Sequence, residues 1–473
     1  MRKTKIVCTL GPACLKEDVL EEMLRNGMNI ARFNFSHGTH EYHKNAIEMF
    51  RRVRDRMGLP AGVLLDTKGP EIRLKDFEGG KVTLRRGDEF TLTSGERMGD
   101  KTGAAISYPD LPRQLYEGVR ILLDDGRVAM TVLEANETDI RCRVDVGGEL
   151  SNHKSINIPN FHIDMPYISK ADEEDLIFGI AQDVDFIAAS FVRCKEDVIG
   201  LRKFLDYHGG HSIKIISKIE NIEGVNNFDE ILKYSDGIMV ARGDMGVEVA
   251  FERLPGIQKR FIRKCYQSGK MVITATQMLE SMIHSSTPTR AEITDVANAV
   301  FDGTSAVMLS GETATGDHPA LVVKVMSQIA EQAENDAFDM DMYQDIKYES
   351  DTADVTNAIC DAAATTARDV RAKVIIAVTF SGLTARRVSK FRPAQPIVAA
   401  TPSIKTFHQL SLSWGVLPVL ALSQSSTDDL FVHAIDCAKQ IDIVSRGDKA
   451  VITAGVPLNI EGTTNLLKVQ LVN

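Results

Sequence analysis

The sequence is short of several things, and each shortage narrows what the chain does. No apolar run approaches the ~20 residues that span a bilayer. The opening MRKTKIVCTL has charge but no long apolar centre, so it reads as a first strand and not as a secretory signal. Positive charge is not in excess: 55 Lys and Arg stand against 65 Asp and Glu, a net −10. That argues against general binding to nucleic acid or to an acidic membrane, although an acidic total can hide a basic pocket. The seven cysteines (Cys8, Cys14, Cys142, Cys194, Cys265, Cys360 and Cys437) are scattered, with no CxxC pair. Reduced thiols in a cytoplasm, buried as small hydrophobes, fit this better than a disulfide frame or structural zinc. Low-complexity segments and short repeats are missing as well.

What is present is a long alternation of strand and helix in 473 residues, enough for two or three domains. Strand-like runs fall at 4–10, 29–35, 62–68, 184–191, 213–220, 236–244, 271–276 and 305–311, with amphipathic stretches such as GIQKRFIRKCYQSG between them. In that stretch Gly269 is a plausible helix stop. Eight such strands predict a (β/α)8 TIM barrel. Residues 71–167 differ, alternating apolar and polar with period two between Gly and Asp turns, and predict a small inserted all-β domain. Asp124-Asp125-Gly126 within it reads as a hairpin turn and not as a metal site. After about 345, AKVIIAVTF, PIVAAT, VLPVLAL and KAVITAGV predict a third, open-sheet α/β domain. The expected division is 1–70 and 168–344 for the barrel, 71–167 for the insert and 345–473 for the C-terminal domain.

Active sites of such barrels lie at the C-terminal ends of the strands. There this sequence places Arg32, Asn34, Ser36 and His37, then Asp66, Thr67 and Lys68 with Glu71 and Arg73. It adds Lys218 and Glu220, Arg242, Gly243 and Asp244, and Thr274 and Thr276. In IKIISKIEN, Lys218 and Glu220 share one strand face, and a buried charge needs a partner. Glu220 and Asp244, from adjacent strands, suit one Mg²⁺, which takes one or two carboxylates and leaves its other positions to water and substrate. The bland alternative pairs Glu220 with Lys218 and makes Asp244 a helix cap. Arg32, Arg73 and Lys218 suit a substrate with several negative charges. Gly243 lets backbone N–H groups approach a carboxylate. Asn34, Ser36, Asp66 and Thr67 offer neutral oxygens and one carboxylate, which suits a monovalent ion better than Mg²⁺; chemistry alone favours an ordinary hydrogen-bonded turn.

The segments ARFNFSHGTHEYH, LLDTKGPEIR, IISKIEN, GIMVARGDMGVE, ITATQMLESM, PTRAE and AVMLSGETA, in this order, closely resemble pyruvate kinases of the bacterial type without an extra C-terminal domain. The likeness covers almost the whole chain. It implies transfer of the phosphoryl group of phosphoenolpyruvate to ADP, giving pyruvate and ATP. By that resemblance Glu220 and Asp244 hold Mg²⁺ (or Mn²⁺), and Lys218 stabilises the phosphoryl group and the enolate oxygen. Gly243, Asp244 and Thr276 hold the substrate near its carboxylate, and Arg32 and Arg73 hold phosphates. Arg73, Asn34, Phe35, Ser36, His37 and Lys154 face the nucleotide. Asn34, Ser36, Asp66 and Thr67 match K⁺ ligands, and Glu71 stands where K⁺-independent members have lysine. Leu74 departs from the threonine frequent in K⁺-requiring members, and Ser155 and Asn160 depart from glycines near Lys154. A cytoplasmic homotetramer is implied, with no nucleic acid or membrane as partner.

The enolate's proton donor is expected to be a relay through Thr276, with Ser310 or Glu312, since a threonine hydroxyl alone is a poor acid. In TFSGLTARRVSKFRP, Thr379, Ser381, Gly382 and Thr384 can cradle a phosphate or simply cap a helix. The resemblance makes this a loop for a phosphorylated allosteric effector, with Arg386, Arg387, Lys390 and Arg392 as further anion partners or a solvated basic face. Three competing readings are a Schiff-base aldolase using Lys218, a Mg²⁺-dependent carbon–carbon lyase acting on pyruvate-like acids, and a catalytically dead homologue.

Overall fold

Eight short runs, apolar on both faces, close into a parallel barrel in the computed structural model, which describes residues 1–343, 354–424, 426–457 and 463–473. In chain order the barrel strands are Lys5–Thr9, Ile30–Asn34, Gly62–Asp66, Phe186–Ala189, Lys214–Ile219, Gly237–Ala241, Met271–Ala275 and Ala306–Leu309. The ring runs first, eighth, seventh and on down to second, each strand parallel to its neighbours. Register brings Asn34 and Ala188 beside Asp66 on either side, so three strand ends meet at one point of the rim.

Local chemistry sets the helix ends. The Thr39 hydroxyl accepts the Tyr42 N–H to start His40–Met57, and Gly58 ends that helix at φ +65°, a conformation open to glycine. PTRAE holds a capping box, in which Thr289 and Glu292 satisfy each other's backbone N–H groups. Helix Leu254–Gln267 stops just before Gly269, which sits at φ +71°. The sixth strand is shorter than its sequence suggests. It ends at Ala241, and Arg242–Glu248 is a helix, so Gly243 and Asp244 lie in a helical first turn and not at a strand tip.

The insert carries a seven-stranded mixed sheet between Ile72 and Asn157 and a small two-stranded one, packed on their own core of residues such as Phe90, Leu92, Ile121 and Met130. Asp124, Asp125 and Gly126 form the hairpin turn the sequence predicts, all at positive φ, between Arg120–Leu123 and Val128–Ala135. The C-terminal sheet has four parallel strands and an antiparallel edge strand, Thr464–Leu471, not among the four expected from sequence. The expected boundary at 344/345 lies outside the described residues. All seven cysteines are free; six are buried and Cys194 is half-buried, so the buried-hydrophobe reading does not hold for that one.

The barrel interior is filled by Val7, Ile30, Leu64, Phe186, Ile216, Met239, Ile273 and Met308, together with Leu412. Leu412 belongs to the C-terminal domain. It is fully buried and closes the barrel floor, while Lys5 Nζ donates to Val416 O (2.7 Å) and Gln409 to Ser212 O (2.7 Å) beside it. No helix among the described residues is long and apolar enough to cross a membrane.

Candidate active site

The rim is organised around Asp66. Its Oδ2 accepts from Arg32 Nε at 2.6 Å, and its Oδ1 from Lys218 Nζ at 2.9 Å. Arg32 also donates to Thr9 Oγ1 (2.8 Å). Lys218 further reaches Ser190 Oγ (2.7 Å) and Glu220 Oε1 (3.0 Å). The Ser190 hydroxyl donates to Thr67 O (2.7 Å), and the Phe191 N–H donates to Glu220 Oε2 (2.6 Å) from a residue at φ +53°. Two cations and two carboxylates therefore share a desolvated cluster, which is tolerable only because each is paired.

The electrostatics follow. Burial alone raises the Asp66 carboxyl, but Arg32 and Lys218 overcome it and hold it below its ordinary range. Burial likewise opposes charge on Lys218, yet Asp66 and Glu220 lift its ammonium above the usual lysine value. Glu220 is pushed up to about 7, first by burial, with Lys218 opposing and the nearby Asp244 adding to the rise. Lys218 is thus firmly cationic, and Glu220 is the strained member that an additional cation would relieve.

Asp244 is half-buried and, among the described residues, makes no ion pair or hydrogen bond and no side-chain cap. The capping alternative for Asp244 therefore fails, whereas Glu220 does pair with Lys218 as its bland reading had it. Among the described residues no three His, Cys, Asp or Glu side chains cluster as a metal cage. One spare carboxylate facing a second one nevertheless fits an ion that takes two carboxylates and completes its shell from substrate. Asn34 Oδ1 accepts the Ser36 N–H (3.2 Å), and Thr67 lies beside Asp66, so this oxygen group is compact and carries one negative charge. That donor set fits a monovalent cation.

Thr276 and Gln277 follow the seventh strand at φ +70° and +54°, unusual for non-glycine residues. Thr276 Oγ1 accepts the Gly243 N–H at 2.9 Å, joining the two elements. Arg242 clamps the same turn, donating to Thr276 O (2.6 Å) and Gln277 O (3.3 Å) while pairing with Asp295 (2.7 Å). Glu312 spends its oxygens on the Leu279 and Ser310 N–H groups.

The lid meets this rim across a cleft of about 740 Å³ lined by Glu71, Asn157, Asn221, Glu223, Asp244 and Glu248, among others. Arg73 pairs with Glu71 (2.9 Å) and donates to His153 O (2.8 Å). Lys154, just before the strand Ser155–Asn157 that pairs with Arg73, bonds to Asp124 (2.8 Å). His37 is exposed, but the Phe35 ring is buried and stacked on His43 at 4.1 Å, so only its backbone is offered to a ligand. Leu74 packs into the lid core. Asn160 sits at φ +61°, which asparagine tolerates where glycine is otherwise used. One residue of the site is missed by sequence reasoning: Ser190, just past the fourth strand, whose tip is left out of the rim inventory. Arg242 is counted there, but its clamp depends on tertiary contacts.

A second cavity, about 810 Å³, is lined by Thr379, Ser381, Thr384, Ser423, His433 and Thr464 among others. Gly382 at φ +80° caps helix Leu383–Lys390 and donates its N–H to Thr379 Oγ1 (3.0 Å), and Thr384 Oγ1 meets Thr464 Oγ1 (2.7 Å). Arg386, Arg387, Lys390 and Arg392 do not line this cavity. Lys390 and Arg392 border the barrel instead, whereas the half-buried Arg386 folds back and donates to Ser381 O of the loop (3.1 Å).

Comparison with known proteins agrees with this geometry. The sequence model of the pyruvate kinase barrel domain matches residues 1–323, and that of the pyruvate kinase alpha/beta domain matches 357–470. The chain is 46% identical to a pyruvate kinase of Clostridium acetobutylicum over the full length of both. It is 48% identical to one of Staphylococcus haemolyticus, covering all of this chain and 81% of that protein. A pyruvate kinase of Clostridium perfringens is 46% identical over 99% of this chain and all of its own.

Proposed function

The chain belongs to the pyruvate kinase family, and on that premise we propose how its own residues carry the reaction. It is a phosphotransferase that moves the phosphoryl group of phosphoenolpyruvate to ADP, giving pyruvate and ATP, the last step of glycolysis. The aldolase and lyase readings of Lys218 are set aside by this assignment, and so is a dead homologue, since each matched side chain is present.

The observation that carries the residue roles is the Asp66-centred cluster, in which Lys218 is buried, cationic and held toward Glu220. Phosphoryl transfer is mainly positioning plus stabilisation of spread negative charge. Lys218 meets the transferring phosphoryl group and afterwards the enolate oxygen. Arg32, oriented by Asp66 and Thr9, holds the phosphate, and Arg73 reaches it from the lid. The Gly243 N–H and Thr276, fixed to one another, seat the substrate carboxylate. Glu220 and Asp244 would hold Mg²⁺ or Mn²⁺, while Asn34, Ser36, Asp66 and Thr67 would hold K⁺; the bound cations supply charge neutralisation. Asn34, Phe35, Ser36, His37, Arg73 and Lys154 receive the nucleotide as the lid closes. Thr276 relays a proton through water to the enolate carbon.

The loop Thr379, Ser381, Gly382 and Thr384 is read as the seat of a phosphorylated effector, supported by its cavity and by the helix that starts there. Segments 1–70 and 168–344 are taken as the barrel, 71–167 as the lid and 345–473 as the regulatory domain. The family supports a homotetramer, and seven free thiols support the cytoplasm. The test is pyruvate formation from phosphoenolpyruvate and ADP with Mg²⁺, in K⁺ against Na⁺. Turnover that needs K⁺ supports the monovalent site; equal turnover in both salts removes it.

A further inference from the structure

Two connections join the lid to the barrel, and both run against the same short loop. Residues 190–193 lie between the fourth barrel strand, which ends at Ala189, and helix Lys195–Tyr207. On the outgoing connection Gly69, at φ +71°, presses on this loop so closely that a Cβ would meet Ser190 O at 2.8 Å. Thr67 is tied to it too, since its Oγ1 accepts the Ser190 N–H (3.2 Å). On the returning connection the Tyr167 hydroxyl donates to Ser190 O (3.0 Å). Arg193 Nη1 takes two carbonyls of that connection, Ile163 O (3.2 Å) and Met165 O (3.0 Å). Its Nε and Nη2 hold Asp197 on the barrel side (3.2 and 3.1 Å).

Packing marks where the returning connection passes from one domain to the other. Ile163 and Met165 pack on the lid core, whereas Tyr167 and Ile168 pack on the barrel core. The boundary falls at Pro166, and Arg193 reaches across it, one edge of its guanidinium on the barrel and the other on the lid. The same loop also faces the site. The Ser190 hydroxyl accepts from Lys218 Nζ (2.7 Å), and the Phe191 N–H donates to Glu220 Oε2 (2.6 Å). Phe191 stands at φ +53°, a conformation that persists in a bulky residue only when its surroundings impose it. The aim of that N–H on Glu220 therefore depends on what holds the loop.

We propose that Arg193 is a positioning residue that couples the lid to the chemistry. A turn of the lid about Pro166 carries the Ile163 and Met165 carbonyls with it and draws on Arg193. The loop passes that movement to the N–H that orients Glu220 and to the hydroxyl that orients Lys218. Groups that orient a metal ligand from behind set the metal's affinity as well as the ligand's direction. Lid position and metal affinity are thereby linked through residues 190–193. The link rests on Glu220 as a metal ligand, the role given to it above.

The test measures Mn²⁺ binding to the full-length protein, without substrates, from the electron paramagnetic resonance signal of free Mn²⁺. Arg193→Lys keeps the charge but loses the planar fork that serves Asp197 and the two carbonyls together. Mn²⁺ affinity is expected to fall roughly tenfold. In steady-state assays kcat is expected to fall by a similar factor, while KM for ADP stays within about twofold. Tyr167→Phe removes one hydroxyl and little else, and should move Mn²⁺ affinity and kcat the same way by a smaller factor; it serves where Arg193→Lys folds poorly. His162→Ala breaks a different contact across the cleft, to Glu223 (2.8 Å), and should leave Mn²⁺ affinity unchanged. Glu220→Gln tests the metal's ligand separately: Mn²⁺ binding retained there overturns that role, and the coupling with it. With Mn²⁺ binding lost in Glu220→Gln, three results overturn the coupling alone. They are unchanged Mn²⁺ affinity in Arg193→Lys and Tyr167→Phe, a defect confined to KM for ADP, and an equal loss of Mn²⁺ affinity in His162→Ala.

Discussion

Lys218 Nζ stands 3.0 Å from Glu220 Oε1, so the cation and the carboxylate of one strand face neutralise each other directly. In the proposed mechanism that pair would be divided, the phosphoryl oxygens drawing on Lys218 and a divalent cation on Glu220. Lys218→Met removes the stabiliser but keeps the length of the side chain. We expect kcat to fall by about a thousandfold, with far-UV circular dichroism unchanged. The melting temperature in Mg²⁺-free buffer should also drop, because Glu220 loses its buried partner. Turnover near the wild-type level would remove Lys218 from the chemistry.

The Arg242 clamp makes a separable prediction. Its planar fork serves the carbonyls of Thr276 and Gln277 together with Asp295, which a point-charge ammonium cannot reproduce. Arg242→Lys should release the turn and move Thr276 from the Gly243 N–H. A loss of roughly ten- to a hundredfold in kcat/KM for phosphoenolpyruvate is expected, with KM for ADP little changed. Equal losses for both substrates would indicate general unfolding of the rim.

Asp66→Asn tests the anchor of the cluster. The neutral amide leaves Arg32 and Lys218 buried with one carboxylate between them, a loss of about 3 kcal/mol or more. Chemical denaturation should show that loss. Any stimulation of turnover by K⁺ over Na⁺ should vanish with it, since the only carboxylate of the oxygen group is gone.

Acid sensitivity is expected at the interface of barrel and C-terminal domain. Burial, with Arg54 and Lys405 adding to it, holds His408 down to about 4. Its folded pKa lies below the unfolded value, so the unfolded chain takes up a proton first as pH falls. The stability tied to neutral His408 is therefore complete above about pH 6.5 and is lost between there and pH 4. At about pH 5 the cost is on the order of 2 kcal/mol. His408→Gln should lose less stability than wild type between about pH 7.5 and pH 5 in parallel thermal melts.

Much of this architecture is legible in the sequence for physical reasons. Parallel strands buried on both faces read as continuous apolar runs, so all eight barrel strands stand out. The strand-end rule then gathers Arg32, Asp66, Lys218 and Glu220 before any coordinates are consulted. What stays hidden depends on contacts between distant segments. Ser190 is an ordinary serine until the fourth strand is placed beside the third, and Arg242 resembles a substrate ligand until its donors are traced to carbonyls. Arg386 and Lys390 lie on the helix that leaves the Thr379–Thr384 loop, which suggests a shared anion. Which way a helical side chain points is settled by packing, and packing seats Lys390 against the barrel while Arg386 folds back on Ser381 O.

Leu412 carries a consequence for the order in which this chain is made. The barrel strands end at Leu309, yet the side chain that completes the barrel's floor comes about a hundred residues later. During synthesis, N-terminal segments emerge first at roughly 5–20 residues per second. All eight strands are therefore outside the ribosome for some seconds while their interior is still open at one end. The nascent barrel in that interval is a vessel without its stopper, and a chain cut before Leu412 would remain one.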